Sequence, residues 1–204
     1  MWFVEKMKGF LLSPAATFRA VRGEALGDAL VYFLVLLVFG ALMAAASTSL
    51  FVSFMKHFPP PVMEQSAGVS TAILGGFVFM GMFISSLIVG ILLIFITGLW
   101  LHLWVYVFGG RHGVSQTLKA CMYAATPSLL FGWIPFIGIV FAFWAFILQI
   151  IGVRELHEIS TGMAVAAVLV SLVVAAVLAV ALILTLLPLP PTCPTCGFNS
   201  LPTN

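Results

Sequence analysis

The stretch YAATPSLLFGWIPF, from Tyr123 to Phe136, places two prolines inside an otherwise apolar region of the chain. A proline within a helix removes one backbone N–H and clashes with the preceding turn, so Pro127 predicts a kink. Pro135 follows a tryptophan, and proline is favoured at the first position of a helix. The stretch therefore predicts the end of one membrane helix, a tight return at the interface and the start of the next helix.

The composition around this stretch is that of an integral membrane protein. The 204 residues are 63% hydrophobic and 7% charged, with a mean hydropathy of +1.24, whereas a soluble domain carries roughly 25% charged residues. We therefore expect an all-α protein whose first partner is the lipid bilayer. The net charge of only +2 and the lack of a basic run argue against nucleic acid as a partner.

Five apolar stretches have a length near or above the roughly 20 residues that a membrane passage needs. They run from about Ala29 to Phe54, Ala72 to Phe108, Ser115 to Gly132, Pro135 to just before Arg154, and Gly162 to Leu187. The uncharged stretch from Gln65 to Gly110 is long enough to leave two alternatives, one long helix or a tight hairpin. The run Pro59 to Pro61 predicts a loop before it.

The distribution of Lys and Arg favours five helices, because cytoplasmic loops collect these residues. With one long second helix, seven of the eight lie inside and only Lys56 lies outside; with a hairpin, the eight divide equally. The inside set is Lys6, Lys8, Arg19, Arg22, Arg111, Lys119 and Arg154. The sequence therefore predicts a five-transmembrane-helix bundle with a cytosolic N-terminus and the C-terminus outside. The start of the chain has no pattern of a cleaved signal peptide, in agreement with a cytosolic N-terminus.

Three regions follow from these boundaries. Residues 1–28 form an N-terminal arm, residues 29–187 the helical bundle, and residues 188–204 a Pro-rich tail. The arm repeats apolar residues at helical spacing from Phe3 to Leu11, and Ser13 and Pro14 predict the N-cap and first position of a second short helix. We interpret the arm as an amphipathic segment at the membrane surface, with a partner-binding helix as the alternative.

Small residues recur every four positions in two predicted helices. The last helix carries Ala167, Ser171, Ala175 and Ala179, and the first carries Gly40, Ala44 and Thr48. Such seams let membrane helices approach closely. We favour packing within the fold over a homo-oligomer interface, which stays open as the alternative.

Five polar side chains lie within the predicted spans toward the cytosolic side. They are His102, Tyr106, Tyr123, Thr126 and Gln149. Polar groups inside a membrane mark functional sites or hydrogen bonds between helices. We expect the five to share one inward-facing layer, with Thr126 available to replace the backbone hydrogen bond lost at Pro127.

Signatures of catalysis and of cofactor binding are absent from the sequence. His157 begins HEIST, in which Thr161 stands where the second histidine of a H-E-x-x-H zinc motif would be. The tail motif CPTCG, with Cys193 and Cys196, is half of a zinc ribbon. A second chain could complete that site, or the thiols could form a disulfide or stay unused; we expect no metal, no cofactor and no enzymatic activity.

Three segments together resemble the Yip-domain family of Ypt/Rab-interacting integral membrane proteins. They are LLSPAATFRAV before the first span, HLWVYVFGGRHGVSQTLKACMYAATPSLLFGWIPF around the second loop, and FWAFILQIIGVRELHEIST after it. The resemblance covers roughly Ser13 to Val165 and implies five spans with a cytosolic N-terminus. It also implies that Pro127 interrupts the family's third helix.

The resemblance implies a role in membrane trafficking or membrane organisation, without a covalent step. Eukaryotic members act in the ER and Golgi and bind prenylated Rab-type GTPases through a long cytosolic region, but only about 28 residues precede the first span here. The short arm argues against a Rab-type GTPase as partner and is similar to prokaryotic members. The resemblance implies the cytoplasmic membrane for a prokaryotic protein and the ER or Golgi for a eukaryotic one. We expect a scaffold or adaptor that binds a protein through its arm, with a small-solute channel or carrier as the alternative.

Overall fold

A computed structural model describes the backbone of residues 3–55 and 71–186, and all regular secondary structure in these ranges is helical. The predicted loop at Pro59 to Pro61 and the tail lie outside the described residues. The described helices are α1 (Phe3–Leu12), α2 (Pro14–Val21), α3 (Leu26–Met55), α4 (Thr71–Val107), α5 (Val114–Ala124), α6 (Thr126–Phe131), α7 (Ile137–His157) and α8 (Thr161–Leu186).

Four described helices are long and apolar enough to cross a membrane. The candidate spans are Leu26–Phe51, Gly75–Val107, Ile137–His157 and Thr161–Leu186. Much of their surface is exposed apolar side chains, as expected of helices that face lipid. The prediction of an all-helical membrane protein is therefore confirmed.

The second predicted span is one continuous helix. α4 runs through 37 residues without a break, which corresponds to about 55 Å at 1.5 Å per residue. The hairpin alternative is wrong over this range. The length exceeds a hydrocarbon core of roughly 30 Å, so a tilted α4 or one that extends beyond the core accommodates it.

The third predicted span is divided into two short helices. α5 ends at Ala124, and α6 begins at Thr126 with Pro127 in its first turn. Neither the 11 residues of α5 nor the 6 of α6 reach the length of a membrane passage. The division lies next to Pro127, which has no N–H to continue the ladder of α5.

The helix α7 differs from the prediction at both its start and its end. The prediction that the helix starts at Pro135 is wrong, because the N–H of Ile137 bonds the Pro135 carbonyl at 2.8 Å in a tight turn. Phe136 between them has a φ of 65°, outside the helical region. The predicted end before Arg154 is also too early, since α7 continues to His157 and stops where Glu158 is left-handed.

The N-terminal helices belong to the same core as the membrane helices. Phe10 of α1 and Phe18 and Val21 of α2 are fully buried. They lie in one apolar cluster with side chains of α3, α5 and α7, including Tyr32, Met122, Tyr123, Leu148, Val153 and Leu156. As predicted, α2 begins at Pro14 after Ser13, although the Ser13 side chain makes no capping hydrogen bond.

Glycines allow close approach between helices, as Gly152 and Gly40 show. A Cβ on Gly152 of α7 would lie 2.9 Å from the ring of Phe18 in α2, and a Cβ on Gly40 of α3 would lie 2.7 Å from the carbonyl oxygen of Leu129 in α6. Both distances are shorter than real Cβ contacts. The chain divides into two compact units, Met1–Ser171 and Leu172–Asn204, and the contacts described below all lie within the first.

Candidate functional site

A partly buried ion pair joins the N-terminal arm to the turn before α3. Lys6 of α1 is only 8% exposed, and its Nζ lies 2.7 Å from the carboxylate of Glu24, in the turn before α3. Removing either partner would leave a charge in a poorly hydrated place, which costs more than an exposed pair would. The pair therefore fixes α1 to the bundle.

The same carboxylate receives a hydrogen bond from the core of the bundle. The hydroxyl of Tyr123 in α5 donates to Glu24 Oε2 at 2.6 Å, and the Tyr123 ring is fully buried. Phe10 stacks on that ring with centroids 4.9 Å apart, and Tyr32 lies 5.4 Å from it. Tyr123 therefore links the arm, α3 and α5 through both its ring and its hydroxyl.

Lys119 completes this set from one turn before Tyr123. Its side chain is 2% exposed, and Nζ donates to the carbonyl oxygens of Arg22 and Glu24 at 2.7 and 2.9 Å. These carbonyls follow the end of α2, where a cation is favoured by the helix dipole. We refer to Lys6, Glu24, Lys119 and Tyr123 as the arm-docking cluster.

Burial acts against ionisation of Glu24, but its partners outweigh that effect. The hydrogen bonds from Lys6 and Tyr123, together with the charge of Lys6, hold the pKa of the Glu24 carboxyl below its ordinary value of 4.5. The carboxylate form is therefore the one that the arm-docking cluster stabilises.

A second contact ties α2 to the end of α7. The guanidinium of Arg22 pairs with the Glu158 carboxylate and donates to the carbonyl oxygen of Glu155. Arg19 lies 3.6 Å from the Glu155 carboxylate, although Arg19 is largely exposed. Such exposed pairs contribute little each, so the arm-docking cluster is the stronger attachment.

Thr126 occupies the break between α5 and α6. Its hydroxyl donates to the Tyr123 carbonyl oxygen at 2.6 Å, the acceptor that Pro127 cannot serve. Because that bond uses the only hydroxyl proton of Thr126, the Tyr32 hydroxyl is the donor in the 3.1 Å contact between the two side chains. Thr126 and Tyr123 are therefore brought together, beside Pro127 and next to the arm-docking cluster.

The other predicted layer residues lie elsewhere. His102 is hydrogen-bonded to Thr117 at 2.8 Å, whereas Tyr106 is 52% exposed with the Arg111 guanidinium 4.0 Å from its ring centroid. Gln149 lines a cleft of about 240 Å³ and its amide makes a 3.7 Å contact with the Cys121 thiol. Tyr123 and Thr126 thus lie together, whereas His102, Tyr106 and Gln149 each make their contacts elsewhere.

The predicted small-residue seam of α8 divides at the middle of the helix. Ala167 and Ser171 are buried, and the Ser171 carbonyl accepts a hydrogen bond from Trp100 at 3.0 Å. Ala175 and Ala179 are exposed. The role of the seam in packing or in a homo-oligomer stays a prediction.

No group of three or more His, Cys, Asp or Glu side chains within residues 3–55 and 71–186 is placed to hold a metal ion. The candidate thiols Cys193 and Cys196 lie outside those residues. The expectation that they hold no metal therefore stays a prediction. Within the described part, the chemistry of the arm-docking cluster is that of ion pairing and hydrogen bonding.

Sequence reasoning missed three members of the arm-docking cluster. Lys6 and Lys119 were counted only as charges that set orientation, and Glu24 was not singled out. One signal was available: Lys119 lies one turn before Tyr123, within the predicted third span. A cation at that place needs a partner, and the nearest acidic residues along the chain are far away.

Tyr123→Phe is expected to lower the free energy of unfolding by about 1.5 kcal/mol, because it removes a hydrogen bond to a charged acceptor and keeps the ring. Tyr106→Phe is the matched control, since that hydroxyl lies on an exposed side chain. Unfolding of purified protein in detergent, followed by circular dichroism, measures both. Equal stability of the two variants would contradict the role given to the Tyr123 hydroxyl.

Comparison with known proteins agrees with the resemblance seen in the sequence. No curated protein and no solved structure matches the chain. The family model described as the Yip1 domain matches residues 8–184, which is most of the chain. The match includes the arm from Lys8, the arm-docking cluster except Lys6, and the candidate spans except the last two residues of α8. The chain therefore belongs to the Yip1 domain family of membrane proteins.

Proposed function

We propose that this protein is a non-enzymatic membrane scaffold or adaptor whose docked N-terminal arm recruits a protein partner. The observation that carries the proposal is the division of α1 into two faces. The inner face holds Lys6 and Phe10 against the bundle. The outer face presents Val4, Lys8 and Leu12 at i, i+4 and i+8, with Leu12 83% exposed.

An arm fixed in this way suits recruitment. A binding helix held in one orientation loses less conformational entropy on binding than a free segment does. Its outer stripe combines two apolar side chains with a cation, which fits a groove or helix that has an apolar surface and an acidic neighbour. Membership of a membrane-trafficking family that is not known for enzymes supports the same proposal.

The competing function is a small-solute channel or carrier. It needs a continuous polar layer between the helices, and the contacts of His102, Tyr106 and Gln149 are separate from one another. A cleft of about 240 Å³ beside Gln149 offers space for a ligand, but it is not lined by His102 or Tyr106. These placements favour the scaffold.

The scaffold proposal is tested by in-cell crosslinking of the tagged protein with mass spectrometry. The outer-face variant Val4→Ser with Leu12→Ser is expected to lose the specific crosslinked protein while its free energy of unfolding stays within about 0.5 kcal/mol, as for other surface changes. Phe10→Ala, on the inner face, is the control for a destabilised arm. Recovery of the same proteins with and without the outer-face changes would contradict recruitment by this stripe.

We also propose that α5 and α6 together complete a fifth membrane passage. The 18 residues of 114–131 extend about 27 Å at 1.5 Å per residue, close to a hydrocarbon core of roughly 30 Å. The break at Ala125 is compatible with a passage because neighbouring helices cover it and Thr126 satisfies the freed carbonyl.

The number of passages decides whether the two termini share a side. Five passages put tags at the N-terminus and the C-terminus on opposite sides of the membrane, and four put them on the same side. Protease protection of both tags in sealed membrane vesicles distinguishes these outcomes. We expect one tag to be cleaved and the other protected, with cleavage reversed in inverted vesicles; cleavage of both together would exclude the fifth passage.

A further inference from the structure

Three histidines and one threonine meet where α4 and α7 end and α5 begins. His102 lies in α4, His112 in the following turn, Thr117 in α5 and His157 at the end of α7. The ring centroids of His102 and His112 each lie 6.2 Å from that of His157. We call these four residues the histidine junction.

The inner part of the junction has a defined hydrogen-bond direction. Thr117 Oγ1 lies 2.8 Å from His102 Nδ1 and 2.9 Å from His157 Nε2. The hydroxyl has one proton, so it donates to one imidazole and accepts from the other. One of the two facing nitrogens therefore carries a proton and the other offers a lone pair.

The surroundings of His157 decide which nitrogen carries the proton. His157 is 2% exposed, and its Nδ1 is buried with no hydrogen-bond partner among the described residues. The nearby N–H of Gly110 is already bonded to the Val105 carbonyl at 2.8 Å. A proton on Nδ1 would be a buried donor without an acceptor, which proteins tolerate less well than a bare lone pair. The favoured arrangement therefore has the His157 proton on Nε2, with His157 donating to Thr117 and Thr117 donating to His102 Nδ1.

His112 joins this chain from the outer side. Its Nδ1 lies 3.0 Å from the His157 carbonyl oxygen and its Nε2 lies 3.3 Å from the Glu158 carboxylate. Both neighbours are acceptors, so both contacts are hydrogen bonds only when His112 is protonated. The two acceptors around His112 can therefore stabilise a positive imidazole, whereas the contacts of His102 and His157 with Thr117 suit neutral imidazoles.

The other charged groups around the junction are bound to partners of their own. Arg22, just after α2, pairs with Glu158, and Glu155 of α7 lies between Arg19 and Arg154. Lys119 of α5 donates to the carbonyl oxygens of Arg22 and Glu24. The guanidinium of Arg111 lies over the ring of Tyr106. None of these carboxylates contacts the inner pair. A proton added to His102 or His157 therefore has no counter-ion at hydrogen-bond distance.

We propose that the histidine junction is an acid-sensitive clasp that holds the α4–α5 turn to the end of α7. Protonation of His102 removes the acceptor that Thr117 needs, and protonation of His157 adds a buried charge and a second donor at Nδ1 with no acceptor. Further charge would accumulate within 6.2 Å of the His112 ring. Burial without a counter-ion opposes protonation of the inner pair. Acidification well below the ordinary histidine pKa of about 6.5 therefore opens the clasp and frees the α4–α5 turn on the arm side of the bundle.

The first test observes the inner pair directly in the unaltered protein. Nitrogen NMR of histidine-labelled protein in nanodiscs at about pH 7.5 reports which ring nitrogen carries the proton. The expected result is the neutral Nε2–H form for both His102 and His157. A neutral His157 with its proton on Nδ1, or an imidazolium at either position, would overturn the proposal.

The second test measures release of the turn. A spin label on Val114→Cys, in a Cys193→Ser and Cys196→Ser background, is expected to become mobile as the pH falls from about 7.5 to about 4.5, below the ordinary histidine range. In the double variant His102→Gln with His157→Gln, the amides keep hydrogen bonds to Thr117 without titrating, so the label should keep its neutral-pH mobility in acid. His112→Gln is the control for an exposed histidine and should retain the acid response. A response that is equal in the parent and in the double variant, or absent from the parent, would overturn the clasp.

Discussion

Glu24→Ala is expected to lower the free energy of unfolding by about 3 kcal/mol. Two hydrogen bonds to a carboxylate are lost, each contributing roughly 1.5–3 kcal/mol, and partial exposure of the Glu24 side chain reduces the total. The loss also leaves Lys6, which is 8% exposed, without its partner in the arm-docking cluster. Chemical unfolding in a fixed detergent, followed by circular dichroism, measures the change.

The matched control is Glu158→Ala, which removes a carboxylate of an exposed pair. That change is expected to cost less than about 1 kcal/mol. An equal cost for both variants would show that the arm-docking cluster contributes no more than a surface ion pair does.

The pH dependence of the same contact has a definite sign. Because the pKa of Glu24 is below 4.5 in the folded protein, its stabilising contribution is complete above that ordinary value and is lost as the pH falls through the lower folded value. Glu24→Gln should remove this dependence while it keeps the side-chain volume.

Gly40→Leu is expected to destabilise the fold by at least about 3 kcal/mol, at the upper end of overpacking effects. A Cβ at this position would lie 2.7 Å from the Leu129 carbonyl oxygen and 3.4 Å from its Cα. These are backbone atoms of α6, so relief requires that α3 and α6 move apart. The same unfolding assay measures the effect.

Gly81→Leu is the control for adding the same side chain to a membrane helix. A Cβ on Gly81 of α4 has no neighbour within 4 Å among the described residues. We expect its unfolding free energy to stay within about 0.5 kcal/mol of the parent. Similar losses at the two glycines would show that the close approach of α3 and α6 is not required.

The long helices were predictable because apolar length is a local property of the sequence. α3, α4 and α8 begin and end within a few residues of the predicted limits. The division at Ala125 and the turn at Phe136 were harder to predict from the sequence. Both depend on how Pro127 and Pro135 meet their neighbours in space, and a proline alone is compatible with a kink, a break or a helix start.

The arm-docking cluster was not predictable from spacing, since its partners are distant in sequence. Glu24 meets Tyr123 across 99 positions, and Lys119 reaches the Glu24 carbonyl across 95. Tyr123 was identified as a buried polar residue, which is correct, but nothing local names its acceptor. For Tyr106 the local pattern was incomplete in another way. Helical spacing predicted that Tyr106 shares a face with His102, whereas Arg111 from the adjacent turn lies over its exposed ring.

The central claim is that a docked arm presents one face to a protein partner, and a photo-crosslinking amino acid tests it at two positions of α1. We predict that the probe at Leu12, 83% exposed, captures the same partner protein in repeated in-cell experiments, with capture abolished by Val4→Ser. At the fully buried Phe10, the probe should join only segments of its own chain. Capture of lipid or of the chain itself from Leu12, or equal capture of other proteins from both positions, would contradict the account.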